Sequence, residues 1–66
     1  MLDGKAFDCL YVSAEYLDHV AAIGLFQDEA AHGTNPDLVH FAKDTLPTLQ
    51  EHRQMISTAL ARLDCP

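Results

Sequence analysis

The feature that most constrains this chain is the run Gly33-Thr34-Asn35-Pro36, which lies near its middle and divides it into two halves of helical pattern. Gly33 suits the left-handed position that ends a helix. Asn35 is a favoured N-cap, and Pro36 then takes the first helical position, where a missing N–H costs nothing. Asp37 follows and places negative charge on the helix N-terminus. Asp3, ahead of Gly4-Lys5-Ala6, is a plausible cap for the first half. The spacing predicts one helix over about 5–32, a turn at 33–35 and a second helix over about 36–63. This is an all-α chain folded as an antiparallel two-helix hairpin.

The second helix carries one clear seam: Leu38, Ala42, Thr45, Leu49, His52, Ile56, Ala59 and Leu63 alternate at spacings of four and three, the pattern of left-handed coiled-coil-like packing. Pro47 faces away from it and is expected to kink the helix without ending it. The first helix carries two seams. Val12, Tyr16, His19, Ile23, Phe26 and Ala30 form one; Phe7, Leu10, Ala14, Leu17, Ala21 and Gly24 form the other, on nearly the opposite side. With the turn centred on Thr34, the first seam meets the second helix in register, Val12 facing Ile56, Tyr16 facing His52 and His19 facing Leu49. The second seam meets only Thr58, Gln54, Glu51 and Pro47. One apolar stripe is therefore left uncovered. A buried Leu or Phe is worth ~1.5–3 kcal/mol, so such a stripe calls for another hairpin. Identical chains close most often with two-fold symmetry, and the expectation is a homodimer that completes a four-helix bundle.

Size points the same way, because a chain of 66 residues buries a small fraction of its surface and needs a staple, a metal or a partner. A formal net charge of −6 argues against nucleic acid and anionic membrane as partners. No stretch approaches the roughly 18 apolar residues of a spanning helix, so no membrane insertion is expected. The N-terminal residues lack a signal-peptide pattern, and the chain as written reads as soluble and not exported. Two cysteines do not make a disulfide framework. Cys9 and Cys65 are read as unpaired thiols, although both lie towards the open end of the hairpin, where one bridge is conceivable.

Phe7-Asp8, Tyr11-Val12, Ala14, Asp18-His19 and Ala22-Ile23-Gly24-Leu25-Phe26 in the first half, with Asn35-Pro36-Asp37-Leu38, Phe41-Ala42, Thr45-Leu46-Pro47-Thr48-Leu49 and Glu51-His52 in the second, resemble the C-terminal half of the domain-of-unknown-function family 4142. The resemblance covers nearly the whole chain. It implies a bacterial, ferritin-like helical bundle of unknown function, in a family whose members are often labelled outer membrane or periplasmic proteins. Members are about twice as long, with an N-terminal hairpin and usually an export signal. A second copy of this chain would stand where that hairpin stands, and a periplasmic or envelope location is implied if the native gene carries an export signal.

His19 and His52 are the residues that invite a site. Both lie on inward seams, on the order of 5 Å apart along the axis, with Glu15 one turn before His19. Histidines with a carboxylate between bundle helices are how such folds hold zinc or iron. His19, His52 and Glu15 are thus the candidate ligands of an alternative, metal-binding reading. The plainer reading pairs His52 with the Tyr16 hydroxyl and His19 with Glu15 or Asp18, with no cofactor at all. Glu29-x-x-His32 and Asp37-x-x-His40 have or approach the di-iron spacing but flank the turn, and read as a solvated cluster. Apart from Lys5 at the helix end, no base stands beside Cys9, no glycine-rich phosphate loop exists, and the expectation is a self-associating module that is not an enzyme.

Overall fold

The computed structural model describes residues 3–65. Two helices, α1 (Gly4–His32) and α2 (Pro36–Leu63), pack against each other, and among the described residues there is no strand. Asp3 caps α1, its Oδ1 accepting from the Ala6 N–H at 2.7 Å. Asn35 caps α2, its Oδ1 accepting from the N–H groups of Asp37 at 2.9 Å and Leu38 at 3.3 Å. These caps satisfy donors that have no partner inside a helix. Helix α2 runs on through Pro47, which is exposed, so the carbonyl deprived of its partner there can turn to water.

Gly33 does not adopt the left-handed conformation expected of it. Its φ of −63° and ψ of 151° are extended, and its N–H donates to the Glu29 carbonyl at 2.9 Å. What requires glycine is proximity: a Cβ here would lie 2.6 Å from the Glu29 carbonyl oxygen. Because that neighbour is backbone, it cannot swing aside. Gly33→Ala is expected to destabilise the hairpin by about 1–3 kcal/mol, read as a lower urea midpoint at unchanged slope; an unchanged midpoint would refute the close contact. The left-handed residue is instead Asp64, with φ and ψ both 53°, which ends α2.

That reversal carries Cys65 back onto α1. Cys9 and Cys65 form a disulfide, Cα–Cα 5.8 Å, across a sequence separation of 56. The expectation of two unpaired thiols is thereby corrected. The register leaves Cys9 on the inner side of the first turns of α1, and only the chain path after α2 brings its partner to it.

The first seam of α1 faces α2. Ile23 is buried, and Val12, Tyr16, His19, Phe26 and Ala30 are half-buried; opposite them Ala42 is buried at 2% exposure and Thr45, Leu49, Ile56, Ala59 and Leu63 are half-buried. His52 and Leu38, at the edge of that seam, are exposed. The second seam is open, with Phe7, Leu10 and Leu17 all more than half exposed. A core this thin leaves the hairpin dependent on its disulfide and its caps.

Candidate functional site

The hairpin has two broad faces, and they differ. One shows Val20, Gln27, Gln50 and Arg53 around Ile23 and Gly24. The other carries two apolar grooves between the helices. Near the turn, Leu25, Phe26, Leu38, Phe41 and Ala42 line the first groove together with Glu29, and the Phe26 and Phe41 rings are 6.0 Å apart. Towards the open end, Tyr11, Val12, Met55, Ile56 and Ala59 line the second together with Glu15. It runs on past Thr58 and Leu63 to Asp8 and Arg62. Tyr11 stacks on Phe7 with ring centres 6.4 Å apart, joining this face to the open seam of α1.

Sequence reasoning did not find this surface. It placed the uncovered stripe on the outward seam of α1, through Phe7, Leu10 and Leu17, and found no apolar excess on α2, where Phe41 is 59% and Met55 62% exposed. The signal was available: Phe41, Thr48 and Met55 recur every seven residues beside the inward seam, widening the stripe on one side only.

His19 and His52 sit between the two grooves. Val12, His19 and Phe26 repeat at sevens along α1, as do Ala59, His52 and Leu38 along α2 with Thr45 between, so the histidines share rows with groove residues on either side. The structure brings them together, ring centres 5.9 Å apart and planes at 59°. His19 is half-buried and its Nδ1 lies 2.9 Å from the Glu15 main-chain oxygen. A carbonyl can only accept, so Nδ1 carries a proton, and it is Nε2 whose lone pair is available in the neutral ring.

Glu15 therefore serves His19 through its backbone, whereas the sequence had offered its carboxylate. Among the described residues, no three His, Cys, Asp or Glu side chains gather closely enough to hold a metal ion. At the turn, His40 Nε2 lies 3.1 Å from Asp44 Oδ2 with both side chains more than two-thirds exposed. That partner is Asp44, one turn on, where the sequence spacing had offered Asp37. Such a pair in open water adds little stability.

No described helix is long and apolar enough to cross a membrane. Comparison with curated proteins and with solved structures gives no match. A protein family does match: the one described as a domain of unknown function, DUF4142, over residues 1–59. The N-caps Asp3 and Asn35, the Asp18-His19 pair and the Thr-Leu-Pro-Thr-Leu-x-Glu-His run all fall within that span, and this chain belongs to the DUF4142 family.

Proposed function

We propose that this chain is a self-associating helical module without catalysis of its own. It pairs with a second copy through the grooved face to complete a ferritin-like four-helix bundle. The observation that carries the reading is the exposure of Tyr11, Leu25, Leu38, Phe41 and Met55 on or beside one face of a hairpin with so little buried core. The chain extends 47 × 21 × 14 Å. Its broad face thus offers a footprint near the ~800 Å² per partner of a stable interface.

Charge favours stacking the two hairpins head to tail. Glu29, Asp37 and Asp44 crowd the turn end, and parallel stacking would lay these acids on their own copies. Antiparallel stacking instead lays Arg62, at the open end of the grooves, towards the partner's turn-end groove with its Glu29.

An oxidising compartment, such as the cell envelope, is the location this reading favours. The Cys9–Cys65 bond supports it, since disulfides persist where thiol buffers do not reduce them.

Sedimentation equilibrium of the oxidised protein tests the association. Twice the chain mass is expected at micromolar concentration, and a well-folded monomer at tens of micromolar would refute the reading.

A further inference from the structure

We propose that His19 and His52 are one half of a zinc-binding site whose other half is the same pair in a second copy; this rests on the self-association proposed above. Two imidazoles sharing one tetrahedral zinc, with Zn–N bonds of about 2.0–2.1 Å, have ring centres about 5 Å apart. Those of His19 and His52 are 5.9 Å apart without any ion between them, so a small rotation of the exposed His52 ring closes the difference.

The donor chemistry is also set. The Glu15 carbonyl holds the Nδ1 proton of His19 and leaves Nε2 free, the arrangement by which outer-shell carbonyls orient metal-binding histidines. An all-imidazole set suits zinc, copper or nickel, whereas di-iron sites need several inward carboxylates. No third His, Cys, Asp or Glu side chain stands near enough among the described residues, so the single chain is incomplete as a site.

The position of the pair supplies what is missing. His19 and His52 each lie within one turn of the midpoint of their helices, between the two grooves. When two such faces stack head to tail, the two-fold axis lies in the interface and crosses the helices at mid-length. Each histidine then meets its own copy across the axis, and four imidazoles converge where one ion would sit. A pair placed elsewhere along the rows would be carried to opposite ends of the dimer.

Zinc chloride is the probe, with tag-free oxidised protein. Equilibrium dialysis should find one zinc per two chains, and sedimentation should find the dimer dissociation constant at least tenfold lower in zinc than in EDTA. His52→Ala, at an exposed position, should abolish both effects while keeping the helical circular dichroism and the zinc-free dimer. His40→Ala, at the turn-end cluster, should change neither. A dimer that takes up no zinc, or whose zinc is indifferent to His52→Ala, overturns the site and leaves self-association standing. A chain that stays monomeric in zinc and in EDTA overturns both.

Discussion

Cys65→Ser is expected to lower the stability of the hairpin by about 4 kcal/mol, the loop-closure value for a ring of this size. The ring spans a sequence separation of 56, nearly the whole chain. For so small a domain that corresponds to a fall in Tm on the order of 20 °C. The effect is large because the crosslink restricts the unfolded chain more than it adds contacts to the folded one. Little inside the fold compensates, since among the described residues only Cys9, Ile23 and Ala42 are buried. Thermal unfolding followed by circular dichroism, at one fixed protein concentration with and without a phosphine reductant, measures it. Wild type in reductant should match the serine variant in its absence. A Tm indifferent to reductant would mean that the bond does not form in solution.

Phe41→Glu and Met55→Glu are expected to weaken self-association by three orders of magnitude or more. Two-fold symmetry doubles each change, so every dimer loses two apolar contacts of ~1.5–3 kcal/mol each and gains two carboxylates in an apolar seam. An unpaired charge there adds several kcal/mol of desolvation. Both side chains are more than half exposed in the single chain, so the hairpin itself should keep its fold. Gln50→Glu, on the opposite broad face beside Arg53, makes the same change of charge class and should leave the dimer intact. Leu17→Glu tests the outward seam separately. Should it dissociate the dimer while Met55→Glu does not, the back of α1 is the interface and the grooved face is not.

Much of the hairpin was legible because its determinants are local. Asp3 and Asn35 cap helices through atoms two or three residues away, and such signals survive in any context. The inward seam was legible because the turn sets the register, and of the two repeats on α1 only one then falls opposite the seam of α2: Val12, Ile23 and Phe26 turn towards α2, while Leu10 and Leu17 turn away. The proximity of His19 and His52 followed from that register, though the structure pairs the two rings with each other where the register had set them one layer apart.

Local pattern could not decide features that depend on where the chain travels between or beyond the helices. Whether Gly33 was needed for a positive φ or for lack of a side chain depended on how the turn folds over the Glu29 carbonyl. The Cys9–Cys65 bond depended on the reversal at Asp64, a left-handed conformation that aspartate tolerates but does not by itself dictate. The grooved face depended on which flank of α2 lies beside which flank of α1, a handedness that periodicity leaves open. By itself, then, the sequence determined two capped helices and the side of each that meets the other, because those properties reside in spacings of two to seven residues. Only the tertiary structure decided the crosslink and the apolar face, because both arise where residues far apart along the chain come within a few ångströms.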